Sequence, residues 1–175
     1  MIEIIVFILA FAADQLLKLW TKTTLVTPGN GRPFLGEALE FMYAQNFGSP
    51  DQVSFIRGRS VFMNVVRVLE VLLILYLLIF QRKKLAKITR IALALFLAGL
   101  IGNQFDYIFF GYVTDMLIIP AWSRSPVFNL ADVFVLVSMV VLLIRIAFFE
   151  GQSFINKLFE KREKKKVDKV NIDES

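Results

Sequence analysis

Four aspartates stand inside or beside apolar stretches of this 175-residue chain: Asp14, Asp106, Asp115 and Asp132. Carboxylates are rare and expensive in such places, and they usually serve a function there. Two carboxylates held close together do not both ionise easily, so the pair shares one proton. The ionised acid can then activate a water, and the protonated acid can donate to a carbonyl oxygen or a leaving amine. Such a pair predicts peptide hydrolysis without a covalent intermediate.

The composition excludes most other hydrolytic chemistry. The chain contains no cysteine and no histidine, so thiolate nucleophiles, Ser-His-Asp triads and zinc sites with Cys or His ligands are excluded. We expect neither a metal nor a cofactor. The basic residues flank apolar segments, where membrane topology explains them, and they give no indication of nucleic-acid binding.

The chain is 57% hydrophobic, with a mean hydropathy of +0.63. A bilayer core of about 30 Å is crossed by about 20 apolar residues, and four segments are long enough, namely residues 2–20, 61–80, 91–110 and 127–149. The first segment lacks a basic start, so we interpret it as a retained helix and not a cleaved signal. We predict an all-α polytopic membrane protein whose four-helix bundle occupies residues 1–150, followed by a charged cytoplasmic tail, residues 151–175.

Charges between the segments predict the orientation. Residues 81–90 hold five Lys and Arg, and residues 150–175 hold seven, together 12 of the 20 in the chain. Positive loops stay in the cytoplasm, so both termini are expected inside and two loops, residues 21–60 and 111–126, outside. The alternating stretch ALEFMYAQN predicts a strand in the first outer loop, and we expect a small β-cradle there, between the first two helices.

Helix geometry places the acids at a common depth. With a rise of about 1.5 Å per residue, Asp14 lies roughly 18 Å and Asp106 roughly 22 Å from the cytoplasmic ends of their helices. By the same rise Asp132 lies about 8 Å below the outer end of the last helix. Asp115 belongs to the second outer loop. The four acids are therefore expected to gather near the outer membrane face as one site.

Sequence spacing adds polar partners to these acids. Asp14 and Lys18 are four residues apart, so they share a helix face and can pair. Asn103 with Asp106, and Asn129 with Asp132, are three apart and share faces in the same way. Ala98 and Gly102 form a small-xxx-small pattern that permits close helix packing.

These observations leave several functions open. Intramembrane acids serve acid-pair hydrolases and also cation-coupled carriers. The absence of visible inverted repeats and of matched helix breaks argues mildly against a carrier. The depth estimates do not decide whether Asp106 or Asp115 is the partner of Asp132.

Specific strings in the chain resemble those of the lipoprotein signal peptidase family, also called signal peptidase II. DQLLK at residues 14–18 is similar to the DQxxK box, and NFG at 46–48 is similar to the NxG box. GNQFD at 102–106, followed by VTD at 113–115, is similar to the GNxxD and VxD motifs, and FNLAD at 128–132 matches the FNxAD box. The strings occur in the family order and cover the membrane domain.

The resemblance implies an aspartyl endopeptidase that removes the signal peptide of diacylglyceryl-modified prolipoproteins, cleaving before the lipidated cysteine. It implies that Asp115 and Asp132 form the catalytic pair. Supporting or substrate-binding positions then fall on Asp14, Lys18, Asn46, Gly48, Asn103, Asp106 and Asn129. The expected location is the bacterial inner membrane, with the site toward the outer face and the protein as a monomer among membrane lipids.

The chain departs from the family pattern at three places. Tyr107 stands where the motif has an arginine, and Ala98 stands where it has the first glycine of a pair. The sequence SPDQVSF after Gly48 is also atypical of the NxG box. A non-catalytic family member that binds lipoproteins or lipids is therefore the alternative to an enzyme.

Overall fold

The computed structural model describes residues 1–25, 31–35, 38–47, 57–121 and 126–150, with the backbone alone for residues 57–64 and 149–150. The four predicted apolar segments are helical, as α1 (Ile2–Thr24), α2 (Arg57–Phe80), α3 (Lys87–Phe110) and α4 (Leu130–Arg145), with a π-helical turn after α4 at Ile146–Glu150. The strands are β1 (Gly31–Pro33), β2 (Glu40–Asn46) and β3 (Val113–Ile118). One compact unit, Met1–Met139, contains the sheet, α1 to α3 and the first turns of α4, and a second unit begins at Val140.

The first unit buries several charged side chains and exposes many large apolar ones. Asp14, Lys18 and Asp106 are buried, whereas Leu9 and Leu16 on α1 are well exposed. A water-soluble domain has the reverse arrangement. An apolar outer surface around a polar interior is the arrangement of a protein surrounded by lipid.

Two helices among the described residues are long and apolar enough to cross a membrane, by length and composition. They are Lys87–Phe110, which is α3, and Leu130–Phe148, which includes α4. The sequence predicts four spans. The crossing of a membrane by α1 and α2 stays a prediction.

The three strands form one antiparallel sheet in the order β1-β2-β3. The strand predicted from ALEFMYAQN is confirmed as β2, which begins two residues later, at Glu40. The small sheet predicted between the first two helices is present, and it also includes β3, which comes from the segment between α3 and α4. Strand β3 is buried on both faces, at Thr114, Asp115, Met116 and Leu117. A strand buried in this way lacks the alternation of polar and apolar residues that identifies a strand from sequence.

Two glycines of α3 lie close to neighbouring helices. A Cβ on Gly99 would lie 2.5 Å from the carbonyl oxygen of Ala131 on α4, and one on Gly102 would lie 2.8 Å from Oδ2 of Asp14 on α1. The predicted small-residue pattern at Ala98 and Gly102 therefore lies in a packed region, with Ala98 fully buried. Helix α3 ends at Phe110 and is capped by Gly111, whose φ of 77° is left-handed and whose N–H donates to the Tyr107 carbonyl.

We expect Gly99→Ala to destabilise the protein. The new methyl group meets a backbone carbonyl that cannot rotate away, and overpacking of this kind costs about 1–3 kcal/mol, more than the gain of about 1 kcal/mol in helix propensity. The measurement is thermal unfolding in detergent micelles. Gly111→Asn is the control, because it adds a side chain in open space and asparagine tolerates positive φ. A Gly99→Ala protein as stable as the wild type would contradict this account of the α3–α4 contact.

Candidate active site

Helix α4 begins with a reciprocal cap between Asn129 and Asp132. The Asn129 side-chain oxygen accepts a hydrogen bond from the Asp132 N–H at 2.9 Å, and Oδ2 of Asp132 accepts one from the Asn129 N–H at 3.1 Å. This is the geometry of a capping box. The cap fixes the orientation of Asp132 at the positive end of the helix dipole, a position that stabilises negative charge.

Asp14 of α1 caps the same helix end from outside. Its Oδ1 accepts a hydrogen bond from the Ala131 N–H at 2.9 Å, and its Oδ2 lies 2.9 Å from Nζ of Lys18. Gln15 donates to the same Oδ2. Both members of the Asp14–Lys18 pair are buried, with 0% and 1% of their side chains exposed. The predicted ion pair is confirmed, and it joins α1 to the start of α4.

Lys18 fixes the orientation of the Asn103 amide. Its Nζ donates to Oδ1 of Asn103 at 3.0 Å and to the Gly102 carbonyl at 3.3 Å. Because an ammonium group can only donate, Asn103 turns its oxygen toward Lys18 and its NH2 group away. That NH2 group donates to Oδ1 of Asp132 at 2.7 Å.

The Asn129 amide joins the two acids that the resemblance assigned to catalysis. Its Nδ2 donates to Oδ1 of Asp115 at 2.7 Å and to Oδ1 of Asn103 at 2.9 Å. Oδ2 of Asp115 accepts a second hydrogen bond from Nδ2 of Asn46 at 2.9 Å. Asp115, on β3, and Asp132, on α4, therefore belong to one hydrogen-bonded cluster with Asn46, Asn103 and Asn129.

Burial raises the pKa of Asp115 to about 6. The Asn46 amide opposes this shift by donating to the charged form, the neighbouring charge of Asp132 adds to the rise in the pKa, and the Asn129 amide opposes it. A carboxyl group with such a pKa exchanges its proton close to neutral pH, as general acid–base catalysis requires.

Asp106 has a different position from Asp115. Its Oδ2 accepts a hydrogen bond from the Thr114 N–H at 2.8 Å, and Lys18 and Lys22 lie 3.8 and 3.7 Å from its two oxygens. Asp106 therefore holds the backbone of β3 next to Asp115. The hydrogen bonds of the Asn129 amide favour Asp115 over Asp106 as the partner of Asp132, a choice that depth left open.

Sequence reasoning placed most of the cluster but missed three contributors. Gln15 donates to Asp14 and to the Gly102 carbonyl, the Thr114 N–H binds Asp106, and Lys22 approaches Asp106. The position of Lys22, four residues after Lys18, could have indicated from the sequence that both lysines share a helix face. The Thr114 contact uses a backbone N–H, which the sequence does not reveal. Gly48 lies outside the described residues. Within the described ranges, no group of three or more acids is arranged to hold a metal ion.

The fold and the site are those of a helical membrane protein in which one carboxylate lies on a strand and a second lies at the start of a helix, within one hydrogen-bonded cluster. The chain matches the family described as Signal peptidase (SPase) II over residues 6–148. It is 30% identical to the lipoprotein signal peptidase of Clostridium tetani, over 85% of this chain and 94% of that relative. It is 32% identical to the lipoprotein signal peptidase of Fusobacterium nucleatum, over 85% of this chain and 88% of that relative.

A solved bacterial membrane enzyme has the same fold, with a TM-score of 0.72 and 20% identity, over 84% of this chain and 93% of that one. This chain belongs to the signal peptidase II family, a family of proteases. The family resemblance stated from the sequence is confirmed.

We expect Lys18→Met to lower the free energy of unfolding by about 3–5 kcal/mol, because it leaves the Asp14 carboxylate buried without its cation. The double variant Asp14→Asn with Lys18→Met removes both charges and should recover part of that loss. Unfolding in detergent micelles measures both. A single variant as stable as the wild type would show that the pair does not hold α1 to α4.

Proposed function

We propose that this protein is an aspartyl endopeptidase that removes the signal peptide of diacylglyceryl-modified prolipoproteins, cleaving before the lipidated cysteine. The observation that carries the proposal is the connection of Asp115 to Asp132 through Asn129, whose side-chain amide donates to Asp115 and whose backbone N–H donates to Asp132. Membership of the signal peptidase II family and the names of the lipoprotein signal peptidase relatives support the substrate class.

In the proposed mechanism the pair holds one proton and one water between its carboxyl groups. Asp132 is ionised at the helix N-terminus and removes a proton from the water, and the water oxygen bonds to the scissile carbonyl carbon. Asp115 gives its proton to the carbonyl oxygen, which yields a neutral tetrahedral diol. Asp132 then protonates the leaving nitrogen while Asp115 takes a proton from one diol hydroxyl, the C–N bond breaks, and the pair returns to its starting state.

The proposed location is a bacterial cell inner membrane crossed by all four helices. The five basic residues at positions 81–90 support a cytoplasmic position for the link between α2 and α3, and hence for both termini. The acid pair then lies toward the outer face. A substrate anchored by its diacylglyceryl group would present its cleavage site at the same interface. We propose that the protein acts as a monomer, with lipidated precursors and membrane lipids as its partners.

We expect Asp115→Asn and Asp132→Asn each to lower cleavage of a lipidated precursor at least about 1000-fold, because either change removes a proton-transfer group. The measurement is release of the signal peptide from a diacylglyceryl-modified precursor by the purified protein in micelles. Glu40→Gln is the control, since it removes an acid from the same sheet without touching the pair. Normal cleavage by both variants would refute the assignment, and binding without cleavage by the wild type would indicate a non-catalytic family member.

We expect cleavage to fall as the pH rises above about 6, because Asp115 then loses the proton that it donates. Asn46→Ala removes a donor that favours the charged form of Asp115, so the pKa should rise and the falling limb of kcat/KM should move to higher pH. Gln45→Ala is the matched control, because the Gln45 amide donates to the Tyr43 hydroxyl and not to Asp115. A limb that stays in place in the Asn46 variant would contradict this role for Asn46.

A further inference from the structure

Four charged side chains form a balanced set beside the acid pair. Asp14, Lys18 and Lys22 are spaced by four residues on α1, so they follow one helix face, and Asp106 faces them from α3. Lys18 lies 2.9 Å from Asp14 and 3.8 Å from Asp106, and Lys22 lies 3.7 Å from Asp106. Two acids and two lysines cancel in formal charge, so the set adds no net charge next to Asp115 and Asp132.

Lys22 is the member of this set that no sequence motif contains. Its ammonium group lies 3.4 Å from the centroid of the Phe110 ring and 5.6 Å from that of Tyr112. Aromatic faces attract cations, so the two rings hold the lysine near Asp106. Only 18% of the Lys22 side chain is exposed, and burial strengthens its interaction with the carboxylate.

Lys22 is important to Asp106 because only one of the two Asp106 carboxylate oxygens accepts a hydrogen bond from a described residue. Oδ2 accepts the Thr114 N–H, whereas Oδ1 is buried without a hydrogen-bond partner in the described part of the chain. Lys22 approaches Oδ1 at 3.7 Å. Without Lys22, Oδ1 would lose the cation beside it and, of the described cations, only Lys18, 3.8 Å from Oδ2, would remain. Breaking a buried ion pair is destabilising, so the Asp106 carboxylate would move and its hold on Thr114 would weaken.

Thr114 directly precedes Asp115 on β3, and Asp115 pairs with Ala44 across the sheet. The contact from Asp106 to the Thr114 N–H therefore fixes the backbone one residue before the acid. A small displacement at that point moves the Asp115 carboxyl group relative to Asn129. Proton transfer depends on hydrogen-bond distances, so rates are sensitive to such displacements.

We propose that Lys22 is a positioning residue of the active site, which holds the Asp106 carboxylate against the Thr114 N–H of β3 so that Asp115 stays aligned with Asp132. The effect on catalysis rests on the function proposed above, whereas the effect on β3 does not. The charged and titratable groups around Lys22 are Asp106 of α3, Lys18 of its own helix, Tyr43 of β2 and Tyr112 before β3.

Three replacements of Lys22 separate charge from packing. Lys22→Met should lower kcat about tenfold or more, with KM within about twofold, since alignment and not binding is lost. It should also move the falling limb of the pH profile to higher pH, because a displaced Asp115 receives weaker hydrogen bonds from Asn46 and Asn129, which favour its charged form. Lys22→Arg keeps the charge and should restore kcat to within about threefold. Lys22→Gln, neutral but able to donate to Asp106, should behave like Lys22→Met and replaces it if that variant does not fold.

The control is Lys83→Met, which removes an exposed lysine from the link between α2 and α3 and should leave kcat and the pH profile unchanged. Amide hydrogen exchange at Thr114, followed by NMR in micelles, is the second readout. We expect faster exchange in Lys22→Met and Lys22→Gln, and wild-type exchange in Lys22→Arg.

The outcomes distinguish this proposal from the proposed function. Wild-type kcat, pH profile and Thr114 exchange in the neutral variants would overturn the role of Lys22, as would an arginine variant as impaired as the neutral ones. A wild-type protein that never cleaves the precursor would overturn the proposed function. Faster Thr114 exchange in the neutral variants would in that case still support the positioning of β3, and unchanged exchange would overturn it.

Discussion

The buried ion pair between Asp14 and Lys18 is the interaction on which the rest of the site depends. A charge removed from water is expensive unless it is paired and its remaining hydrogen-bonding groups are satisfied, and here both conditions hold. Asp14 uses its second oxygen on the Ala131 N–H of α4, and Lys18 uses its other donors on Gly102 and Asn103 of α3. One pair on α1 thereby connects three helices at the level of the site.

The ion pair also helps to determine the orientation of the side-chain amides that bind the acids. The ammonium group of Lys18 can only donate, so it determines which end of the Asn103 amide faces it, and the opposite end binds Asp132. The Asn129 oxygen accepts the Asp132 N–H, so its NH2 group faces Asp115 and Asn103. Two amides that could each adopt either orientation in isolation have one orientation here, and the two acids receive donors on defined oxygens.

The sequence predicted the elements better than their connections. Helical segments and the strand β2 follow from long apolar runs and from alternation, and the Asp14–Lys18 pair follows from a spacing of four residues. Strand β3 was missed because its buried run has no alternation. The contact from Thr114 to Asp106 was missed because a backbone N–H leaves no mark on residue type. The proposal of Asp115 and not Asp106 as the partner of Asp132 rests on tertiary hydrogen bonds, so from the sequence only the family resemblance indicated it.

The start of α4 explains why acids are tolerable at this depth. The first N–H groups of a helix have no partner within the helix, and an apolar environment offers no water to replace one. Asn129 binds the Asp132 N–H and Asp14 binds the Ala131 N–H. The buried polar side chains and the backbone N–H groups of the first helical turn therefore satisfy each other. Asp132 in turn binds the Asn129 N–H with Oδ2, and its Oδ1 accepts the Asn103 amide. Asp14, midway along α1, depends on donors from other groups, namely Lys18 and the Ala131 N–H. Asp132 binds the free Asn129 N–H at the start of its own helix, and the Asn129 side chain then joins it to Asp115 on the buried strand.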